Sequence, residues 1–242
     1  MVERVQTYIP ELDSLIEGGI PKGALVLVSG TPGTGKSILC SQILYNNALK
    51  GKKCLYLNLE QNEGRLENQM KQFGWTPEDW NNLKIVAIDS SDTKIVEFVL
   101  QEVQKTDYDL IVLDSLDSIS SNPATLEEVG QYSMDKIVEY TVPTVLDSST
   151  IGRLKLKKIF TAIAKSGATA LLTSEKVVGS EGITRDTISE FLCDGIILLH
   201  AVEGEEGFRT LNIPKMRLTK QKQGIYNFSI TEKGIIVKTE EA

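Results

Sequence analysis

The sequence predicts an α/β protein: a mostly parallel central sheet flanked by helices, with an antiparallel extension at the C-terminal end. Three observations predict this class. Short apolar runs alternate with helical stretches as far as Thr173, a glycine-rich segment joins the first run to a helix, and strand-like runs separated by turns follow Cys193. Alternating strands and helices favour a parallel sheet, since right-handed crossovers place helices on its faces. Successive strands joined by short turns favour an antiparallel meander.

The individual elements follow from hydrophobic periodicity. The predicted parallel strands, rich in leucine and β-branched residues, are Ala24–Ser29, Cys54–Leu59, Leu83–Ile88, Leu110–Leu113 and Ala168–Thr173. The predicted helices, with apolar residues at helical spacing, are Ser37–Lys50, Gly64–Phe73, Thr93–Gln104 and Ile151–Ser166. The predicted antiparallel strands are Ile196–Leu199, Arg209–Leu218, Ile225–Ile230 and Ile235–Lys238.

The 242 residues contain no linker-like composition, so a single domain over 1–242 is expected. Within it we distinguish an N-terminal segment, 1–23, an insertion loop, 120–150, and the C-terminal antiparallel strands, 195–238. The insertion is long for a connection inside a compact domain. It is therefore interpreted as a mobile loop or as a surface for a protein partner.

Composition excludes several function classes. The three cysteines form no CxxC pair and His200 is the only histidine, which excludes zinc ribbons and leaves little room for a Ser-His-Asp triad. Free thiols and the absence of a signal peptide predict a cytoplasmic protein, and no apolar stretch is long enough for a membrane span. The net charge of −7 argues against a general nucleic-acid binder, although residues 208–238 hold seven basic residues and one acidic residue.

The segment Gly30–Ser37 matches G-x-x-x-x-G-K-[ST] at every required position, between a predicted strand and a predicted helix. Glycines let the loop curl so that its N–H groups, with the helix N-terminus, face phosphate oxygens. Lys36 can reach the β- and γ-phosphates and the Ser37 hydroxyl can ligate Mg²⁺. The predicted nucleotide-binding residues of this phosphate loop are Thr31, Pro32, Gly33, Thr34, Gly35, Lys36 and Ser37.

Two carboxylates at predicted strand ends complete the predicted catalytic set. Asp114 can hold Mg²⁺ through a coordinated water, or it can cap the next helix together with Ser115. Glu60 can orient and deprotonate the attacking water if its strand neighbours the phosphate-loop strand. The alternative for Glu60 is that it merely opens a polar loop.

Lys215 and Arg217 alternate on a predicted strand and therefore share a face. Two cations on one face suit charge stabilisation of a transferring phosphoryl group, on this subunit or a neighbouring one. The alternative is a charged sheet edge that protects against aggregation.

The chain resembles the KaiC-like branch of the RecA-superfamily ATPases. Four segments spread over about residues 7–238 carry the resemblance: Ile9–Gly23, Leu171–Glu175, Glu190–Ile197 and Leu211–Thr219. The resemblance implies a RecA-type P-loop NTPase fold, ATP with Mg²⁺, and a homo-oligomeric ring, usually of six subunits with the nucleotide between protomers. It also implies catalytic roles for Glu60, Lys36, Lys215 and Arg217, and places Thr173, Ser174 and Glu175 near the γ-phosphate, with Ser174 the predicted nucleotide-binding residue among them.

Three hypotheses on function follow. The first is an ATPase that hydrolyses Mg-ATP in such a ring. The second, favoured by Gln61 at a position where the family often has a glutamate and by the long insertion, is a nucleotide-gated scaffold of a motility or signalling machine with little hydrolysis. The third is an accessory protein of DNA recombination or repair.

Overall fold

The computed structural model describes residues 2–60, 63–76, 81–125, 128–130, 148–180, 182–201 and 209–241. Gln61 and most of the predicted insertion, 120–150, lie outside these residues. The helices are α1 Pro10–Leu15, α2 Lys36–Leu49, α3 Glu63–Gln72, α4 Ile95–Gln104, α5 Leu116–Ser120, α6 Ser148–Ser166 and α7 Ser189–Leu192. The strands are β1 Arg4–Val5, β2 Ile20–Pro21, β3 Leu25–Gly30, β4 Cys54–Asn58, β5 Leu83–Ala87, β6 Leu110–Asp114, β7 Thr169–Glu175, β8 Gly195–Ala201, β9 Arg209–Met216, β10 Ile225–Thr231 and β11 Gly234–Glu241.

In the described part of the chain, nine strands form one sheet in the order β11-β10-β9-β8-β3-β7-β6-β4-β5. The six strands from β8 to β5 are parallel and β9, β10 and β11 continue antiparallel, which confirms the predicted fold class. One detail was not predicted: β8, the first strand of segment 195–238, is reached by a crossover from β7 and pairs parallel with β3. On its other side β8 pairs antiparallel with β9, so the antiparallel meander begins at the β8–β9 pair.

The central strands are buried on both faces, which is why they read as continuous apolar runs. Alternate residues of β3 serve two separate cores: Val26 and Val28 face a cluster that includes α2, whereas Leu25 and Leu27 face a cluster that includes α4 and α6. The three cysteines are buried free thiols within these cores. The long β8–β9–β10–β11 meander extends the α2 side, where the buried amide of Gln42 bonds to the backbone of Ile235.

The N-terminal segment contains elements that periodicity did not predict. β1 and β2 form a separate two-stranded sheet, and α1 packs its buried Leu12 and Leu15 into the α2-side core. Arg4 donates to the Leu218 carbonyl at 3.0 Å and to Glu17 at 2.8 Å. The segment thereby fastens the turn that follows β9.

The strand directions place the predicted site residues at two opposite ends of the sheet. The C-terminal ends of β3, β4, β6 and β7 meet at one edge, where the phosphate loop, Glu60 and Asp114 lie. Gly195, at the start of β8, pairs with Met216 at the end of β9, whereas Leu199 pairs with Gly30 at the phosphate-loop end. Lys215 and Arg217 therefore lie at the other edge.

Among the described residues, no helix combines the length and the apolar character that crossing a membrane requires.

Candidate nucleotide-binding site

The phosphate loop leaves β3 and enters α2 as the sequence predicts. Gly35 immediately precedes α2 with a φ of 106°, a left-handed conformation that favours glycine. A Cβ on Gly30 would lie 2.4 Å from the Leu199 carbonyl oxygen, so only glycine fits beside β8. The free N–H groups at the start of α2 consequently point into the loop.

Polar side chains brace the loop from within. The Lys36 ammonium donates to the carbonyls of Gly30 at 2.9 Å and of Thr31 at 3.1 Å. The buried Thr34 hydroxyl also donates to Thr31, at 2.9 Å. These bonds hold Lys36 over the loop, within the space where the motif predicts phosphate.

A cavity of about 300 Å³ opens over this loop. Its lining combines five of the seven predicted loop residues and the following Ile38 with three side chains from other elements: Pro32, Gly33, Gly35, Lys36, Ser37, Ile38, Glu60, Gln69 and Glu175. Thr31 and Thr34 are not part of the lining. Sequence reasoning missed Gln69, which lies on α3 with no motif to mark it. Its side-chain oxygen is buried and has no hydrogen-bond partner among the described residues, so this oxygen can accept a hydrogen bond from a ligand in the cavity.

Glu60 lines the cavity, but the strand order that places it there differs from the one considered in the sequence analysis. The condition set for it, that its strand neighbours β3, is not met, since β7 and β6 lie between β3 and β4. Glu60 nevertheless faces the loop because all these strands end at the same edge. The carboxylate is solvent-accessible, yet partial desolvation, together with the negative charges of Asp114 and Glu175, raises its pKa despite the opposing Ser115 hydroxyl and Lys36.

Asp114, at the end of β6, is only 3% exposed and does not line the cavity. Its carboxylate accepts hydrogen bonds from the Tyr56 hydroxyl at 2.6 Å and the Thr173 hydroxyl at 2.5 Å. Neither Asp114 nor Ser115 caps α5 through its side chain, which leaves the capping alternative without support. With both oxygens already bonded, the carboxylate suits contact with a cation through water better than direct ligation.

The end of β7 holds the three residues that the family resemblance places near the γ-phosphate, Thr173, Ser174 and Glu175. Ser174 is fully buried and does not line the cavity; its hydroxyl donates to Asp117 at 3.3 Å. Glu175, the next residue, lines the cavity, and its N–H donates to the same carboxylate at 2.6 Å. The Arg185 guanidinium forms an ion pair with the Glu175 carboxylate, with an N–O distance of 2.9 Å. The proposed contact of Ser174 with nucleotide thus stays a prediction, while Asp117 is a residue that the sequence analysis missed.

Asp117→Asn is expected to stabilise the protein at neutral pH. Burial first, then the nearby charges of Asp186 and Glu175, raise the pKa of Asp117 from 3.8 to about 6. The folded chain therefore binds more protons than the unfolded chain between pH 4 and 6, so this carboxylate costs stability progressively as the pH rises through that window. Asparagine keeps an acceptor for Glu175 without the charge.

Urea denaturation at several pH values tests this expectation. The gain in unfolding free energy of Asp117→Asn over wild type should grow by about 2–3 kcal/mol between pH 4 and pH 7 and then stay constant. The exposed Asp107→Asn serves as a control with no such trend. A gain independent of pH would contradict the assigned cause.

Lys215, on β9, and Arg217, in the turn just beyond it, both contact their own chain. The half-buried Lys215 ammonium donates to the carbonyls of Glu190 at 3.2 Å and Cys193 at 2.5 Å. Arg217, just beyond β9, pairs with Asp194 at 3.0 Å. Neither residue lines the cavity over its own phosphate loop.

The residues present fit a nucleotide triphosphate with magnesium. The loop supplies N–H donors, Lys36 supplies a cation, and the orphaned Gln69 oxygen can accept a hydrogen bond. Among the described residues, no three His, Cys, Asp or Glu side chains converge into a metal cage. Mg²⁺ needs no such cage, since it is usually held by phosphate oxygens, waters and one or two protein ligands. Ser37, and Asp114 through water, are the residues that would hold it.

A strand–phosphate loop–helix unit at the C-terminal edge of a mostly parallel sheet defines the P-loop class of nucleotide-binding domains. Comparison with known proteins narrows this class. The chain belongs to the KaiC ATPase family, because the sequence model of that family matches residues 5–242. The family match makes it a nucleotide-binding ATPase domain of the KaiC type.

Individual relatives agree with this assignment. A UPF0273 protein of Pyrococcus furiosus is 31% identical over 98% of this chain and 94% of its own length. A UPF0273 protein of Saccharolobus solfataricus is 33% identical over 99% and 84%. The circadian clock protein KaiC3 of Synechocystis is 29% identical, and this chain spans 46% of it. The crystal structure of a KaiC-like protein of Pyrococcus horikoshii superimposes with a TM-score of 0.79 at 29% identity, covering 98% of this chain and all of that one.

Proposed function

We propose that this protein hydrolyses Mg-ATP, and that copies assemble head to tail into a ring, with six subunits favoured, so that each nucleotide lies between two copies. One observation carries the proposal. The phosphate loop faces Glu60, whose pKa is raised, while the cations Lys215 and Arg217 lie at the opposite end of the sheet. A single chain holds all the parts of the predicted site but does not bring them together.

The proposed chemistry is an in-line attack of water on the γ-phosphorus. The bond to the β–γ bridging oxygen breaks, and the water proton passes to the Glu60 carboxylate as ADP leaves. A raised pKa makes a carboxylate a better proton acceptor near neutral pH. Mg²⁺, when bound, would neutralise phosphate charge.

Lys36→Ala is the first test of the proposed function. Losing a charge-assisted contact to phosphate should weaken ATP binding by about 10- to 100-fold. Binding is measured by equilibrium titration with Mg-ATP, and phosphate release and particle mass are recorded on the same samples. Exposed Lys233→Ala is the matched control. Unchanged affinity in Lys36→Ala, or no phosphate release by wild type at any concentration, would refute the proposal.

A nucleotide-gated scaffold with little hydrolysis is the second candidate. The observation in its favour is that Lys215 and Arg217 are engaged by their own chain. Tight binding of ATP and ATP-dependent assembly, with negligible turnover in the assembled state, would favour this alternative over the first.

The DNA-accessory hypothesis gains nothing from the structure. Binding of single strands commonly uses exposed aromatic side chains as stacking platforms. Tyr226 and Phe228, which alternate in the basic C-terminal region, are only 3% and 2% exposed. The partner surface predicted at 120–150 remains a proposal.

A further inference from the structure

Helices α4 and α6 pack side by side over one face of the sheet, where their buried apolar residues belong to the same core cluster. Between the outer surfaces of the two helices lies a groove of about 440 Å³. All the residues that line this groove belong to α4 and α6, and none of them lines the cavity over the phosphate loop. The groove is therefore a second concave surface, separate from the nucleotide site.

The residues that α6 contributes to the groove repeat at helical spacing. They stand at positions i, i+3, i+4, i+7, i+8 and i+11 and are Leu154, Lys157, Lys158, Thr161, Ala162 and Lys165. This spacing is that of one continuous helix face, which runs for about 16 Å, or about three turns. The residues of α6 that pack in the core, such as Leu156, Ile159 and Ile163, form a different face. α6 thus carries a second patterned face that its own core does not use.

The deeper part of the groove is apolar. Leu100 of α4 and Leu154 and Ala162 of α6 are half-buried, whereas the polar lining residues Gln104 and Thr161 are exposed. Half-buried apolar side chains in a row can lose their remaining contact with water when a ligand covers them. We call Leu100, Leu154 and Ala162 the groove floor.

The outer part of the groove is basic and lacks counter-charges. Lys157, Lys158 and Lys165 are exposed, and none of their ammonium groups has a hydrogen-bond or ion-pair partner in the part of the chain that the structure describes. The 19 residues of α6 include five basic residues and no acidic one, in a chain whose net charge is −7. Lysines elsewhere do pair with carboxylates, as Lys22 and Lys84 show. A concentrated, unneutralised positive charge favours an acidic ligand.

We infer that this groove binds an acidic amphipathic helix of another protein. Apolar side chains of that helix would cover the groove floor, and its carboxylates would meet Lys157, Lys158 and Lys165. Helices commonly dock in grooves of this kind through apolar residues at i, i+3 or i+4, and i+7, which matches a face of about three turns. Neither ATP hydrolysis nor ring assembly is needed for this contact.

Two other anionic partners fit the groove less well. Single-stranded nucleic acid is bound largely through phosphates and through bases that stack on aromatic side chains, and no aromatic residue lines the groove. A membrane surface is bound by apolar side chains that project beyond the charged ones. Here the apolar side chains are the less exposed part, and the lysines stand outside them.

A panel of capped helical peptides of about twelve residues, long enough for about three turns, tests the inference. Each peptide carries leucine, isoleucine, methionine or phenylalanine on one face and glutamates beside it, and its fluorescence anisotropy is titrated with the full chain. At least one peptide should bind about tenfold more tightly than two controls: the same composition with the apolar residues scattered, and the same pattern with lysine in place of glutamate. Equal affinity for patterned and scattered peptides, or no binding by any of them, would overturn the inference.

Charge reversal locates the binding on the chain. Lys157→Glu/Lys158→Glu changes two exposed side chains without partners, so the fold should persist, as thermal unfolding can verify. The acidic peptide should bind this variant about tenfold more weakly, and the lysine peptide should bind it more tightly than it binds wild type. Lys222→Glu/Lys233→Glu makes the same change in net charge on exposed lysines outside the groove and should bind as wild type does. Equal weakening in both variants would show attraction by net charge alone and would contradict a site at the groove.

The same samples are titrated with single-stranded DNA and with phosphatidylserine vesicles. Binding of either probe that is lost in Lys157→Glu/Lys158→Glu, with no peptide bound, would overturn the assignment of a protein partner. Lys36→Ala, which alters the phosphate loop, should bind the acidic peptide with unchanged affinity because the groove and the nucleotide cavity share no residue. Failure of ATP hydrolysis in wild type would refute the proposed function and leave this peptide binding unaffected.

Discussion

Glu60→Gln is expected to reduce ATP turnover by about 10²- to 10⁴-fold, the range typical for removing a general base. The glutamine keeps the size and polarity of the side chain but accepts a proton far more weakly. ATP affinity should change little, since the phosphate loop and Lys36 remain intact. The variant should therefore bind nucleotide and hold it unhydrolysed.

Single-turnover phosphate release and equilibrium ATP titration distinguish these two effects. Glu67→Gln, which alters a half-buried glutamate on α3 that pairs with Lys71, is the matched control and should behave as wild type. Turnover of Glu60→Gln within a factor of two of wild type would show that another group accepts the proton.

Arg217→Ala is expected to reduce turnover by about 10³- to 10⁵-fold, the range known for arginines that reach a transferring phosphoryl group. Arg217 now pairs with Asp194 through side chains that are 58% and 33% exposed. Exposed pairs of this kind contribute little stability, so the guanidinium can exchange Asp194 for phosphate at small cost. ATP binding to the variant's own loop should persist, since that loop lies at the other edge of the sheet.

A mixing assay shows in which copy Arg217 acts. Neither Arg217→Ala nor Lys36→Ala should hydrolyse ATP alone. In a mixture, Lys36→Ala copies can present Arg217 to the intact loops of Arg217→Ala copies, and part of the activity should return. Arg153→Ala, an exposed arginine elsewhere on the surface, should retain full activity. Absence of any recovery, in a mixture shown by mass to assemble, would contradict action across the interface.

The candidate site was predictable where a local pattern sets the geometry. The phosphate loop needs glycine at Gly35 for its left-handed backbone and at Gly30 for the approach of β8, and both requirements are visible in the motif. Asp114 was predictable for a similar reason, because a carboxylate directly after a continuous apolar run marks the end of a buried strand. Tyr56 and Thr173 bond to Asp114 from other strands, and these contacts were not predicted, although the family resemblance placed Thr173 near the γ-phosphate.

Strand order lay beyond sequence reasoning. Periodicity distinguishes strands from helices, but it does not say which strand pairs with which, and the neighbourhood of β3 and β4 considered for Glu60 is not found. The parallel pairing of β8 was missed because a buried apolar run reads the same in either direction. Gln69 and Asp117 escaped notice because a polar residue in a helix becomes functional only through what packs against it.

The sequence by itself therefore determined the class of domain and the phosphate loop, since both depend on residue spacing within a short stretch of chain. Only the tertiary structure decided that Glu60 faces the loop from a strand that is not adjacent to β3, and that Lys215 and Arg217 lie at the far edge of the sheet. The physical reason is that such proximity depends on the order and direction of strands. Strand order and direction are decided by long-range packing between apolar strands whose local sequences look alike.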